Sequence, residues 1–291
     1  MKLSSVQKGP FTLYTIETGR FKLDGGAMFG VIPKPMWEKK IPADDQNRID
    51  MAMRSLLVKS EKTGRLYLID NGSGDKFNEK MSAIYDFSYP YGTLQDSLAA
   101  HGFSPDDVTD IIFTHLHFDH CGGTTRFNKA GELELVFKNA NYWVGAKHWA
   151  TANSPNVRER ASFFAQNLEP MRLSKRMKFT REGDEFEPGF SMTFVNGHSE
   201  GQQLPVIRTE GFSLVFAADL IPTAAHVSLP WVMGYDMRPA DTLTEKEQLL
   251  KQWHDEGCYL FLEHDATHEV ITLVQGKRYI ESGESITLSD L

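Results

Sequence analysis

The chain has 291 residues, of which 41% are hydrophobic and 24% charged, and its formal net charge is −8. The length suits one large domain or two modest ones, and the composition is typical of a soluble globular enzyme. The negative charge argues against nucleic-acid binding, which needs a basic face. No apolar run reaches the roughly 18 to 20 residues of a membrane span, so no membrane partner is expected.

The N-terminal residues and the cysteines indicate the location of the protein, and the lack of a linker indicates the number of domains. Residues 1–8 lack the apolar core of a secretory signal, and the two cysteines, Cys121 and Cys258, imply no disulfide framework. These features predict a cytoplasmic location. No linker or low-complexity segment interrupts the chain, so we expect a single domain over residues 1–291.

In chain order, the first predicted element is a strand over residues 11–21. Residues 24–37 follow, with three glycines and two prolines that argue against a regular element. The same stretch is apolar, and Met28, Phe29, Met36 and Trp37 are among its large side chains. An apolar loop needs to be covered by the core, by a partner subunit or by a substrate. Strands over 51–59 and 65–70 and a helix over 93–101, which Gly102 ends, complete this part of the chain.

A polar motif at residues 114–120 follows a short apolar strand at 111–113. His115 and His117 are two residues apart, so in extended chain they point the same way. Asp119 and His120 turn with the loop and face a second point nearby. Neutral imidazole and carboxylate are ligands that borderline divalent cations prefer. The motif therefore predicts two adjacent metal sites, with a polar surface loop as the alternative interpretation.

Further predicted strands lie at 133–137, 141–144, 190–195, 204–208, 213–217, 259–262, 270–274 and 278–281. Helices are predicted at 146–152 and 158–171, and a capping box at Thr242 and Glu245 predicts a third that runs to residue 256. Three of the strands end near His198, Asp219 and His264, and ligands at strand ends are held rigidly. Alone, each has a simpler interpretation: a surface histidine, a helix cap, or a histidine that His268 replaces.

Taken in order, these residues resemble the metallo-β-lactamase superfamily. The resemblance rests on His-x-His-x-Asp-His at 115–120, Gly-His-Ser-Glu-Gly at 197–201, and the later Asp and His. It implies an αββα sandwich of two mixed β-sheets with helices on the outer faces. It also implies the following ligand set: His115, His117 and His198 on one metal, Asp119, His120 and His264 on the other, and Asp219 bridging them.

The resemblance implies a metal-dependent hydrolase with two divalent ions, Zn by default and Mn, Fe or Co otherwise. A hydroxide that bridges the two metals would attack the substrate, and Asp119 would pass a proton to the leaving group. A non-catalytic metal-binding protein is the hypothesis from another class. Its closed site would normally use cysteine and complete coordination.

Residues 25–37 and 218–223 look like the corresponding segments of quorum-quenching N-acyl-homoserine-lactone lactonases. That likeness implies a small lactone or ester substrate, with Met28, Phe29 and Trp37 lining the acyl pocket. Pro222 stands where many lactonases have a substrate-binding tyrosine, so Tyr235 or His226 is expected to contact the substrate instead. Organophosphate triester or aryl-ester hydrolysis is the alternative function. The exposed apolar loop is also consistent with a homodimer.

Overall fold

A computed structural model describes residues 4–291. The first part of the chain forms strands β1 Ser5–Lys8, β2 Phe11–Asp24, β3 Arg48–Ser60, β4 Leu66–Ile69, β5 Asp110–Ile112, β6 Thr125–Phe127, β7 Leu133–Leu135, β8 Asn141–Gly145 and β9 Met177–Thr180. The second part forms β10 Glu185–Glu187, β11 Phe190–Val195, β12 Gln202–Thr209, β13 Phe212–Phe216, β14 Tyr259–Phe261, β15 Val270–Gln275 and β16 Ile280–Ile286. The α-helices are α1 Gly25–Phe29, α2 Lys34–Trp37, α3 Glu79–Tyr85, α4 Leu94–Ala100, α5 Phe118–Cys121, α6 Ala146–Asn153, α7 Ala165–Leu173 and α8 Pro239–Asp255.

The strands build two large mixed sheets, one from each part of the chain. The first has the order β1-β2-β3-β4-β5-β8-β9 and the second runs from β10 to β16 in sequence, while β6 and β7 form a separate hairpin. Strands β4, β5, β8 and β9 are parallel neighbours, as are β13 and β14. The predicted class, two mixed sheets with helices on the outer faces, is confirmed.

The main core lies between the sheets, and β3 shows how the sequence places it. Side chains alternate along a strand. Leu56 and Val58 therefore join the buried cluster that contains Val206 and Leu214 of the second sheet. Leu57 turns to the opposite face and joins the cluster that includes Leu98 of α4. Each such fully buried side chain contributes roughly 1.5 to 3 kcal/mol, so both faces of the first sheet are anchored.

The expectation that residues 24–37 hold no regular element is wrong, because α1 and α2 lie there. The Asp24 side chain caps α1 by accepting the Ala27 N–H at 2.8 Å. Pro33 precedes α2 and Pro35 lies in its first turn, where a missing N–H has no cost. With five and four residues, the two helices are too short to give a helical period.

Two further helix boundaries differ from the prediction. The helix expected from residue 158 begins only at Ala165, and α8 begins at Pro239, before the predicted capping box. The Glu245 carboxylate does not cap α8. It accepts the backbone N–H groups of Asn196 at 2.7 Å and Gly197 at 3.0 Å. The glutamate thus holds the segment that leads into His198.

No helix within residues 4–291 is both long enough and apolar enough to cross a membrane. The connection between α1 and α2 does expose apolar surface, since Val31 is 91% and Met36 is 52% accessible to solvent. Exposed apolar side chains can be covered by a partner subunit, so the homodimer stays a prediction.

Candidate metal centre

Four strands deliver the predicted ligands to one edge of the sandwich. The motif loop follows β5, and His198, Asp219 and His264 follow β11, β13 and β14. Because β13 and β14 are parallel, with Phe216 opposite Phe261, their carboxyl ends meet. Gln203 joins the two sheets at this edge, since its backbone N–H donates to the Thr114 carbonyl at 2.9 Å.

The ligand atoms of the predicted residues converge in two groups. One contains His115, His117, His198 and Asp219, and the other contains Asp119, His120 and His264; within each group the ligand atoms lie within 4.8 Å of one another. Asp219 connects the groups, with Oδ2 at 3.1 Å from His198 Nε2 and Oδ1 at 3.1 Å from His264 Nε2. The open choice between His264 and His268 is resolved, because His268 pairs with Asp265 instead.

The outer nitrogens of two imidazoles face carboxylates. His117 Nε2 lies 3.2 Å from Glu159 Oε1, and His198 Nδ1 lies 3.0 Å from Asp236 Oδ1. A carboxylate only accepts hydrogen bonds, so each of these nitrogens carries the hydrogen. In the neutral imidazoles, His117 Nδ1 and His198 Nε2 then carry lone pairs, and they face each other at 3.3 Å.

The other three imidazoles are arranged in the same way. His120 Nδ1 lies 3.0 Å from Asp70 Oδ2, and His264 Nδ1 lies 2.8 Å from a backbone carbonyl oxygen of β3. His115 Nδ1 lies 3.0 Å from Thr114 Oγ1. The Thr114 hydroxyl donates its own hydrogen to Asp70 at 2.6 Å, so it accepts from His115. Every inner nitrogen of the cluster is therefore free to bind a cation.

The inner nitrogens lie too close together for neutral imidazoles alone. His115 Nε2 is 3.0 Å from His117 Nδ1, and His120 Nε2 is 3.1 Å from His264 Nε2. Facing lone pairs repel each other. The buried Asp219 Oδ1 also has no hydrogen-bond partner within residues 4–291. Imidazole and carboxylate donors in this arrangement fit divalent cations such as Zn, Mn, Fe or Co.

Buried carboxylates give the cluster a strongly negative potential. Burial lowers the pKa of His198, but Asp219 and Asp236 outweigh it and raise that pKa to about 10. By the same balance, Asp219 raises the pKa of His264 to about 9. Burial and the neighbouring imidazoles hold the pKa of His115 well below its usual value. A site that attracts protons this strongly also attracts metal cations in their place.

Glu263 lies beside the cluster without belonging to either ligand group. Its Oε2 is 3.1 Å from His120 Nδ1, yet neither oxygen makes a hydrogen bond within the described residues. Burial raises the pKa of Glu263 to about 8. Asp70, whose Oδ2 makes the hydrogen bond with His120 Nδ1, is therefore the partner that orients His120.

Unusual backbone geometry directs the ligands at two positions. Ala218 has a φ of 41°, in the left-handed region that few residues other than glycine adopt. This costs about 1 to 3 kcal/mol and turns the chain so that Asp219 faces the cluster. After the motif, a Cβ on Gly122 would lie 2.0 Å from the Ser73 carbonyl oxygen. Only glycine lets the motif loop pack this closely.

His148 bridges the two ligand-bearing loops. Its Nε2 accepts the Leu116 N–H at 2.8 Å, and its Nδ1 lies 3.1 Å from the Glu200 carbonyl oxygen. Burial lowers the pKa of His148 to about 3, so the ring is neutral and donates from Nδ1. The bridge fixes the spacing between the loop of His117 and the loop of His198.

A cavity of about 280 Å³ opens onto the cluster. Its floor includes His117, Asp119, His198, Asp219 and His264. Its walls are mainly apolar, with Leu23, Met28, Met51, Phe118, Met233 and Met237 among the lining residues. Ligands that a small molecule can reach are typical of a catalytic metal site and not of a closed structural one.

The predicted substrate contacts fall into two sets. Met28 and Tyr235 line the cavity, whereas Phe29, Trp37 and His226 are fully buried outside its lining. The Phe29 ring stacks on Trp37 at 5.2 Å and on His226 at 4.7 Å. His226 Nε2 lies 2.9 Å from the Met28 carbonyl oxygen. We therefore correct the expected role of these three residues from contacting the substrate to supporting Met28.

The carboxylates that orient the imidazoles of the cluster were not predicted from the sequence. Asp70 follows the buried strand β4 in the way that Asp219 follows β13, and that pattern was available in the sequence. Glu159 and Asp236 lie in irregular segments with no local pattern to identify them. Their partners become evident only when the chain is folded.

We expect Glu159→Gln to weaken metal binding by roughly 10- to 100-fold. An amide oxygen still accepts from His117 Nε2 but lacks the charge that makes the imidazole a better ligand. The Ser199 hydroxyl, which also donates to Glu159, would lose the same charged acceptor. Competition with a chromophoric chelator measures the zinc affinity, and Glu210→Gln at an exposed turn is the matched control. Equal affinities of the two variants would remove Glu159 from the site.

Comparison with known sequences identifies a family and shows how much of the chain the matches cover. The family described as the metallo-beta-lactamase superfamily matches residues 54–264. An N-acyl homoserine lactonase of Bacillus cereus is 31% identical over 172 residues, which is 58% of this chain and 60% of that protein. The match thus spans less than two thirds of that relative's length.

Solved structures match over nearly the whole chain. A probable metal-dependent hydrolase from Staphylococcus aureus is 27% identical with a TM-score of 0.85, covering 97% of this chain and 100% of that one. AidC, a dizinc quorum-quenching lactonase solved with a product, is 22% identical with a TM-score of 0.80 over 98% of each chain. At that identity, AidC shows the shared fold.

Proposed function

The chain belongs to the metallo-beta-lactamase superfamily, and we propose that it is a dinuclear metal-dependent hydrolase. The proposal rests on the five buried imidazoles whose inner nitrogens crowd around Asp219. We assign His115, His117 and His198 to one cation, Asp119, His120 and His264 to the other, and Asp219 to both.

Zinc is our proposed metal, because imidazole and carboxylate ligands suit it and AidC is described as a dizinc enzyme. Two such cations would supply Lewis acidity to a water molecule and to the substrate's carbonyl oxygen. The chain's own contribution is to fix the positions of the ligands through Asp70, Glu159 and Asp236, and to keep the surrounding cavity largely apolar.

We propose N-acyl-homoserine lactones as the substrate class. The curated relative from Bacillus cereus is named for this activity. The cavity lining supports it, because Met28, Met51, Met233 and Met237 present flexible apolar surface that suits an acyl chain.

Asp119 is the residue we assign to proton transfer. It lines the cavity and lies 3.7 Å from His264 Nε2, at the edge of the cluster nearest the substrate space. Ring opening consumes one water: its oxygen ends on the acyl carbon, the ring C–O bond breaks, one proton ends on the released alcohol, and the other leaves the new carboxylic acid for solvent. Asp119 takes up that proton and delivers it to the leaving oxygen.

One observation favours a second candidate, hydrolysis of organophosphate triesters or aryl esters. Pro222, which follows Asp219 by three residues, carries no hydrogen-bond donor for a lactone carbonyl. The apolar cavity would accept an aryl or alkyl ester equally well.

A substrate panel separates the two candidates. Zinc-loaded protein is assayed with N-hexanoyl- and N-decanoyl-homoserine lactone, with paraoxon and with phenyl acetate. We expect lactone opening with a kcat/KM of about 10⁴ M⁻¹ s⁻¹ or more, an ordinary enzyme value, and slower turnover of the other two. No ring opening above background, or faster turnover of paraoxon, would contradict the lactonase proposal.

A further inference from the structure

Two phenol groups line the cavity without a hydrogen-bond partner. Tyr85 lies at the end of α3 and Tyr235 lies in the segment before α8, and both contribute to the cavity wall. Within residues 4–291, neither hydroxyl makes a hydrogen bond to another residue. Buried tyrosines elsewhere are satisfied: Tyr67 donates to Glu187 at 2.9 Å and Tyr142 to a backbone carbonyl at 2.6 Å.

The Tyr85 ring is held against the motif. Its centroid lies 4.9 Å from that of Phe118 and 5.5 Å from that of Phe87. Phe118 stands between His117 and Asp119 in the sequence, so α3 packs this ring against the motif loop, and Tyr85 lines the same cavity as His117 and Asp119. A side chain packed on two aromatic rings has little rotational freedom left to lose when a substrate binds.

Both phenols remain protonated in this environment. Burial and the Asp119 charge raise the pKa of Tyr85, and burial together with Tyr85, Asp24 and Asp119 raises the pKa of Tyr235 well above its usual value. A phenol with a raised pKa keeps its O–H hydrogen throughout the neutral pH range. The two groups therefore present O–H donors, and not phenolates, to the cavity.

Two other groups with donor hydrogens line the cavity: the Ser162 hydroxyl, and the Arg158 guanidinium, which donates from Nη2 to the Gly234 and Asp236 carbonyls. The ring nitrogens of His226 lie within hydrogen-bond distance of the Met28 carbonyl and of a threonine hydroxyl, and the ring is buried. Pro222 has no donor at all. Hydrolysis builds negative charge on the oxygens of the scissile group, and unengaged donors in a largely apolar cavity stabilise that charge strongly.

We propose that Tyr85 and Tyr235 are catalytic hydrogen-bond donors to the oxygens of the substrate's scissile ester or phosphoester group. This inference rests on the proposed hydrolase function and adds Tyr85, in a helix that periodicity did not predict, to the reacting centre. It also assigns to phenols from two separate segments the donor that Pro222 cannot supply.

The test compares zinc-loaded Tyr85→Phe, Tyr235→Phe and the double variant with the wild type. On N-hexanoyl-homoserine lactone we expect each single variant to lose roughly 10- to 100-fold in kcat, and the double variant to lose more. KM should change less than kcat, and zinc content should stay that of the wild type. Tyr279→Phe, at a tyrosine that is 45% exposed outside this cavity, is the matched control and should change nothing.

A binding measurement separates failure of this inference from failure of the lactonase proposal. Calorimetry with N-hexanoyl-L-homoserine needs no turnover, and we expect both phenylalanine variants to bind it several-fold more weakly than the wild type. If the wild type opens no lactone, the substrate proposal fails alone and the same variants are compared on paraoxon and phenyl acetate. Wild-type kcat and wild-type product affinity in the double variant would overturn the inference. A protein that binds none of these compounds would overturn both.

Discussion

Asp219→Asn is expected to lower kcat by at least about 1,000-fold, equivalent to about 4 kcal/mol of lost transition-state stabilisation. The reason is the position of the carboxylate, whose two oxygens each lie 3.1 Å from an inner imidazole nitrogen of a different ligand group. Asparagine keeps the shape but removes the charge and replaces one ligand oxygen with an amide NH₂. Zinc content should fall from about two ions per chain toward one.

The measurement pairs steady-state kinetics on the lactone with elemental analysis of the purified variant. Asp45→Asn is the matched control, because Asp45 is exposed and outside the cluster, and it should keep wild-type kcat and zinc. A variant Asp219→Asn that retained two zinc ions and a kcat within tenfold of the wild type would exclude a bridging role.

Metal removal is expected to cost both activity and stability. Without cations, the crowded inner nitrogens and the unpartnered Asp219 oxygen lose the charge that holds them together. For a site held at about 1,000 times its Kd, ligand binding stabilises the fold by about 4 kcal/mol. For a chain of this size that corresponds to a Tm about 7 °C lower in the metal-free protein.

Dialysis against dipicolinate, followed by differential scanning calorimetry and lactone assay, tests this expectation. Activity should fall by at least about 1,000-fold and return when zinc is added back. Dipicolinate that has been saturated with zinc beforehand serves as the control and should have no effect. Unchanged Tm and activity in the free chelator would show that the cluster does not hold exchangeable metal.

The proposed ligands could be recognised in the sequence because their signal is local. His115, His117, Asp119 and His120 lie within six residues, and each later member of the set lies three residues after the end of an apolar strand. The partners that orient them are distant in sequence: Glu159 is 42 residues from His117, and Asp236 is 38 residues from His198. No pattern within a single segment records such a pairing, so only the folded chain reveals it.

Elements with clear alternation, an apolar run or a capping residue could be predicted, whereas helices of four or five residues could not. Strands such as β3 and β11 and the helix α4 carry enough alternation or capping to be recognised. Helices α1 and α2 complete barely one turn each, which is too little for a period of 3.6 residues to appear. The capping box at Thr242 predicted the wrong start for α8, because Glu245 accepts a hydrogen bond from a neighbouring loop instead of capping its own helix.

The substrate contacts show a different limit of sequence reasoning. An apolar segment indicates that its side chains are covered, but not by what. Met28 faces the cavity, while Phe29 and Trp37 stack behind it in the core. Tyr85 was not predicted as a site residue. It ends a seven-residue helix without buried residues, and no motif of catalytic or metal-binding residue types surrounds it.

Anomalous diffraction from crystals grown with zinc is the most direct test of the dinuclear centre. We predict two peaks about 3.5 to 4 Å apart. One should lie among His115, His117 and His198, the other among Asp119, His120 and His264, with an Asp219 oxygen bound to each. A single peak, or zinc bound away from Asp219, would contradict the dinuclear site.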